Sequence, residues 1–386
     1  MDKQHSDTLL LGRDDLPADP NHIYLSGGAS SAVNTLLHTI CAGSSTGVMV
    51  PIPQYPLYTA LLSLLGAKCV PYYLDESSGW STSVRSIEQA CEKAKAEGID
   101  VRAIVVINPG NPTGSSLSES EIQQVLEFSD RENMVVLADE VYQANVFTGT
   151  FHSFRKVLLS LQSKHPGKLN VELASIHSTS KGTSTQDIAI RHSHSSWHVL
   201  NNDIGITGEC GHRGGYFELI GFDPQVEAQI YKFVSITLCA PVIGQCLVEM
   251  MVNPPRPGSP SYQLYAQEYQ EIHETMKSRA YALYRAFQDM EGVDCREPQG
   301  SMYLFPRMRL PRGAIEHATR QNQSPDGFYC SRLLDATGIC IVPGSGFGQV
   351  EGTFHFRTTF LAPGTDWVKR MKRFHDSFTA EYKLTT

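Results

Sequence analysis

Lys181 sits in the run Ser-Ile-His-Ser-Thr-Ser-Lys-Gly at residues 175–182, which follows an apolar stretch that reads as a buried strand. An amine placed there can condense with an aldehyde to form a Schiff base, and the hydroxyls of Ser178 and Ser180 beside it can hold a phosphate. A surface lysine behind a Ser/Thr loop is the plainer alternative. Other residues of similar promise recur along the chain. Asn111 lies in Asn-Pro-Gly-Asn-Pro-Thr-Gly, residues 108–114, a loop stiffened by prolines that presents a rigid amide. Asp139 opens Asp-Glu-Val-Tyr; a carboxylate there can pair with a pyridinium nitrogen and keep it protonated. It can equally serve as a helix N-cap, worth ~1 kcal/mol. Tyr142, three residues on, reaches the same ligand if the turn is helical. Gly28-Ala29-Ser30-Ser31 is either a phosphate-binding helix N-terminus or a simple small-residue cap. Arg213 stands among glycines in residues 211–215, where it can grip a phosphate bidentately. Arg357 sits in the strand-like run His355–Thr359. There its charge calls for an anion, either a substrate carboxylate or a structural Asp or Glu.

These residues fall at the ends of segments that alternate between strand-like and helix-like. Strands are expected at His22–Leu25, Val48–Val50, Val101–Ile107, Met134–Ala138, Glu172–Ile176 and Tyr216–Ile220. Val101–Ile107 is almost wholly apolar, as befits a parallel strand covered on both faces. A helix is expected over Ser31–Cys41, and another after Ser118, where Glu121 completes a capping box and Ile122, Val125 and Leu126 give amphipathic spacing. Strand–helix alternation implies an α/β fold with a mostly parallel sheet, whose ligands bind beyond the carboxyl ends of the strands. A charged amphipathic pattern from Tyr262 to about Met290 predicts a helix linking two domains. The expected division is a large cofactor-binding domain over 1–261, then the linking helix and a smaller α+β domain over 262–386.

The bulk composition narrows the partners. A net charge of −8 and a pI near 6.0 argue against nucleic acid or an anionic membrane. The stretch Ser235–Met251 is too short and too interrupted to span a membrane, and reads as a buried helix. Nine scattered cysteines without a CxxC pair read as reduced, buried thiols of an intracellular protein.

The motifs at 108–114, 139–142 and 178–181, in that order, resemble the fold-type-I, pyridoxal-phosphate-dependent aminotransferases. Pro51-Ile-Pro-Gln-Tyr55-Pro-Leu-Tyr58, Gly208-Glu-Cys-Gly-His-Arg-Gly-Gly-Tyr216 and Gly300-Ser-Met-Tyr-Leu-Phe-Pro306 are similar to the alanine aminotransferase group. The resemblance runs from about Leu16 to the C-terminus. It implies a seven-stranded-type sheet, with pyridoxal 5'-phosphate as cofactor and a homodimer as assembly. The substrates it implies are an amino acid and a 2-oxo acid: L-alanine and 2-oxoglutarate giving pyruvate and L-glutamate. Lys181 would carry the cofactor and shuttle the proton, and Asp139 would pair with the ring nitrogen. Asn111 and Tyr142 would bind the phenolic oxygen, and Tyr55 would stack on the ring. Ala29, Ser30, Ser178, Ser180 and Arg213 would hold the phosphate. Arg357, with Asn111 nearby, would take the substrate carboxylate. No metal is expected. Another amino-acid substrate, a lyase of the same fold, or an impaired remnant are the alternatives; the compartment, cytoplasmic or mitochondrial, stays open.

Two departures from the family pattern stand out. The long N-terminal segment of the family is expected to be missing. The phosphate arginine of the family follows its lysine by nine residues, whereas Lys181 and Arg213 are 32 apart. Residues 183–205 lack apolar periodicity; His192, His194 and His198 within them have no evident partners for a metal site. This span reads as the translation of a retained intron. Gly182 can hold a GT donor, and Ile204–Gly205 an AG acceptor in the same phase. Excision removes 23 codons in frame and leaves Arg213 nine residues after Lys181. Little activity is expected with the span in place. Deleting it and restoring an upstream segment is expected to recover activity when the proteins are assayed side by side. A mature transcript that still encodes the span, or full activity with it, overturns this reading.

Overall fold

The computed structural model describes Asp14, residues 16–181 and residues 209–383. Residues 183–205, with their three histidines, lie outside the described residues. Seven strands form the larger sheet: β1 (Ile23–Ser26), β2 (Thr46–Ile52), β3 (Lys68–Tyr73), β4 (Asp100–Ile107), β5 (Val135–Asp139), β6 (Leu173–Ser178) and β7 (Gly215–Ile220). Their order is β1-β7-β6-β5-β4-β2-β3. Only β7 runs antiparallel to its neighbours, β1 and β6; the pairs among β2 to β6 are parallel.

Both faces of this sheet are covered, which is why β4 is apolar throughout. Ala103 and Val105 join one core with Leu137, Ile176 and the helical residues Val33 and Leu36. Ile104 and Val106 turn to the opposite core with Val136, Ile122 and Phe154. The expected capping box opens the helix Glu119–Glu132: Ser118 accepts from the Glu121 amide, and the Glu121 carboxylate accepts from the Ser118 amide at 2.8 Å. Asn133, in the left-handed region at φ 54°, ends it.

The helix Tyr262–Gln288 buries Ile272, Met276, Ala280, Leu283 and Phe287, one stripe at helical spacing. From Met276 on, that stripe packs into a core with Tyr329, Phe356 and Met371 that Val141, Tyr142 and Phe147 also join. The small C-terminal sheet is antiparallel: β8 (Val293–Asp294), β9 (Tyr303–Leu304), β10 (Arg307–Met308), β11 (Val342–Pro343) and β12 (Phe354–Thr359), with β12 between β11 and β10.

Two expectations are corrected. Ser235–Met251 is not one buried helix. The helix Pro224–Ile236 stops, and a second, Val242–Val252, starts after Pro241. Around the break Ile236 is 73% exposed and Leu238 90%. Leu238, in the left-handed region at φ 63°, follows the end of the first helix, and Pro241 stands at the N-cap of the second. The cysteines are all free, but Cys210, Cys239, Cys246 and Cys340 are exposed rather than buried. Among the described residues no helix is long and apolar enough to cross a membrane, and no His/Cys/Asp/Glu group is fit to hold a metal ion.

Candidate functional site

The carboxyl ends of β4, β5 and β6 lie side by side, and their loops build one cleft. After β4, Asn108 pins its own loop. Its Oδ1 accepts from the Leu117 amide at 3.0 Å and its Nδ2 donates to the His152 carbonyl at 3.1 Å. The loop so held presents Asn111, only 6% exposed. Asp139 is the last residue of β5 rather than a helix cap. After β6 the turn carrying Lys181 is tied to Gly214: the Thr179 amide and hydroxyl donate to its carbonyl at 3.1 and 3.0 Å. Cys210 Sγ lies 3.7 Å from the Ser180 carbonyl.

Gly28 precedes the helix Ala29–Ile40, whose first amides no side chain caps. A Cβ on Gly28 would stand 2.6 Å from Arg213 Nη2, and its φ of +91° is one that side chains avoid. Glycine is needed here so that the arginine can lie against the helix N-terminus. An amide-rich helix end, three serines and a guanidinium make an anion site.

One cleft of about 330 Å³ is lined by Ala29, Ser30, Tyr55, Asn111, Asp139, Tyr142, Ser178, Ser180, Lys181, Arg213 and Arg357. The residues expected to bind cofactor or substrate therefore meet in one place. Asp139 Oδ2 accepts from the Tyr58 hydroxyl at 2.7 Å, and the buried Oδ1 has no hydrogen-bond partner among the described residues. Burial raises the Asp139 pKa, against the pull of the Tyr58 hydrogen bond, the Val141 backbone amide and the Lys181 charge. Burial also pushes the Tyr58 and Tyr142 hydroxyls well up, so both remain protonated donors. Lys181 Nζ is 5.8 Å from the centre of the Tyr142 ring. Asn111 bridges two neighbours: its Oδ1 accepts from Arg357 Nη1 at 3.1 Å and its Nδ2 donates to the Tyr142 hydroxyl at 3.3 Å. Tyr55, 40% exposed, sits at the rim.

Arg357 is half-buried. Of the two partners open to Arg357, a structural Asp or Glu is not found among the described residues. The Asn111 amide and the rings of Tyr303 and Phe347, 4.3 and 4.7 Å from its guanidinium carbon, hold it instead. Its charge is left for an incoming anion. Tyr58, Tyr303 and Phe347 are site residues to which the sequence reading gave no role. Tyr58 had a signal, one helical turn after Tyr55; Phe347 had none.

The cleft thus offers an anion cradle, an unpaired buried carboxylate oxygen, an amine and a carboxylate-sized cation. Pyridoxal phosphate fits this set: Asp139 Oδ1 awaits a cationic nitrogen, and the Gly28–Arg213 cradle awaits a phosphate. A model of the family described as Aminotransferase class I and II matches residues 7–370. The mitochondrial alanine aminotransferase of Saccharomyces cerevisiae is 50% identical over 94% of this chain, which spans 58% of that protein's length. The same yeast's inactive alanine aminotransferase is 47% identical over 95% of this chain, with 68% of its own length covered. Among solved structures, an alanine aminotransferase from Pyrococcus furiosus superposes with a TM-score of 0.76 at 20% identity, covering 98% of this chain and 81% of that one.

Proposed function

Because this chain belongs to the class I and II aminotransferase family, we propose that it carries the site of an alanine aminotransferase, converting L-alanine and 2-oxoglutarate to pyruvate and L-glutamate. The observation that carries the reading is Asp139, which lines the cleft that also holds Lys181 and Arg357 and whose buried Oδ1 has no hydrogen-bond partner among the described residues. Pyridoxal phosphate, when bound, supplies an electron-withdrawing ring that spreads charge away from the substrate α-carbon. Asp139 keeps the ring nitrogen protonated, while Tyr58 fixes the carboxylate. Ser178, Ser180, Arg213 and the amides at Ala29 and Ser30 hold the phosphate. Asn111 and Tyr142 donate to the ring oxygen, and Tyr55 covers the ring face. Arg357 binds the α-carboxylate of each substrate, and the Lys181 amine moves the proton between carbon atoms.

Arg357→Lys keeps the charge but loses the planar fork. A charge-assisted pair is worth ~1.5–3 kcal/mol, so affinity for both amino acid and oxo acid is expected to fall about 10- to 100-fold, with pyridoxal phosphate affinity unchanged. Unaltered Michaelis constants for both substrates refute the assignment. A homodimer is supported by the exposed apolar side chains of Ile236, Leu238, Val242 and Ile243. One yeast relative is inactive by name, so the activity itself is tested directly, by alanine-dependent formation of pyruvate.

A further inference from the structure

A second cleft, of about 390 Å³, opens beside the first, between residues 73–80 and the C-terminal domain. Glu76, on the short helix Glu76–Ser78, reaches across it. Glu76 Oε1 lies 3.2 Å from His355 Nε2, and Oε2 accepts from Arg307 Nη1 at 3.4 Å. Arg296 Nη2 donates to the Ser77 carbonyl at 3.2 Å. His355 is 1% exposed. Its other nitrogen, Nδ1, faces Gln349 Oε1 at 3.0 Å. The orientation of that amide is set from behind, because Gln349 Nε2 donates to Asp326 Oδ2 at 3.1 Å. Both nitrogens of His355 therefore face acceptors. An imidazolium satisfies both; a neutral ring satisfies one.

His355 and Arg357 are alternate residues of β12 and share a face. Phe305 stacks on His355 at 4.9 Å and meets Phe347 edge-on at 5.9 Å. Phe347 in turn carries the guanidinium of Arg357. Unbroken packing thus leads from Glu76 through His355 and two rings to Arg357. We propose that His355 is a positioning residue, whose charged bridge to Glu76 fastens β12 to the larger-sheet domain and sets Arg357 for its carboxylate. This rests on the reading of Arg357 given above. Arg307 stands directly opposite His355 in the paired strands, Asp326 lies behind Gln349, and Asp75, Asp294 and Arg296 border the cleft. Partial burial raises the Glu76 pKa, but His355, Arg307 and Arg296 together outweigh it and hold this carboxyl below its ordinary range. Glu76 thus keeps its charge into acid.

The test uses the whole chain loaded with pyridoxal phosphate, with 2-oxoglutarate as the probe in direct binding measurements. His355→Gln and Glu76→Gln are each expected to weaken 2-oxoglutarate binding about tenfold, with pyridoxal phosphate affinity unchanged and the double variant no worse than either alone. Equal affinity in parent and variant, or a double variant weakened by the product of the two single effects, overturns the proposal. Should His355→Gln fail to fold, Glu76→Gln, whose side chain is 25% exposed, carries the same test. Arg357→Lys is measured alongside. Weakened binding there with an unaffected His355→Gln overturns the bridge alone. Undiminished binding in Arg357→Lys overturns the carboxylate reading and the bridge's role with it.

Discussion

Lys181→Ala is expected to lower transamination about 10⁴-fold, the upper end of what a positioned proton-transfer group contributes. The cleft holds no second amine within its walls: Lys181 is its one lysine among the described residues. The variant keeps the Gly28–Arg213 cradle and Asp139, so pyridoxal phosphate is expected to bind still, without a covalent link. Borohydride treatment and peptide mapping check this independently of turnover. In the parent chain the trapped cofactor is expected on Lys181, and in the variant on no residue of the cleft. A label on any other lysine of the parent refutes the assignment. The measurement is made both with residues 183–205 present and with them deleted, so that the effect of the span and the effect of the lysine are read separately.

Asp139→Asn is expected to weaken pyridoxal phosphate binding about 100-fold or more, since removing one partner of a buried charge pair costs ~3–5 kcal/mol. The pH dependence has a definite sign. Pairing needs the carboxylate, and burial has raised the Asp139 pKa. Cofactor affinity therefore falls as pH drops through that raised value, and the Asn variant lacks this fall. Without cofactor the linkage runs the other way. A folded-state pKa above the unfolded one favours the folded form at low pH, and the benefit is lost as pH rises through the folded value. The cofactor-free Asn variant is accordingly expected to be no less stable than the parent at neutral pH. An unchanged cofactor affinity in a folded Asp139→Asn protein removes aspartate from this role.

Much of the site was legible because chemistry and punctuation coincide in the sequence. Asn111, Asp139 and Lys181 each follow an apolar run, and a parallel sheet brings the ends of such runs together. The capping box at Ser118 and Glu121 is local physics and formed as expected. What the sequence could not show is pairing at a distance. The edge strand β3, with exposed Pro71 and Tyr73 alternating with buried Val70 and Tyr72 and an exposed Lys68 at its start, has a weak apolar signal. The ring of Phe347, 10 residues before Arg357, had no signal, because a packing contact at that range leaves no spacing pattern. The interruption near Pro241 was visible as a residue, but composition outweighed it in the reading of Ser235–Met251.

The sandwich of Arg357 between Tyr303 and Phe347 has a thermodynamic consequence. An arginine side chain free in solvent carries about 2 kcal/mol of rotamer entropy, which a ligand must overcome to order it. Here the two rings and the Asn111 amide have ordered it before any ligand arrives. That matters most for the smallest ligands, whose binding is capped at about 1.5 kcal/mol per non-hydrogen atom. An amino acid with a single methyl side chain has few atoms from which to draw affinity. A guanidinium already immobile lets nearly all of its carboxylate contact appear as binding, so the folding of the C-terminal domain has met in advance a cost that such a substrate could not.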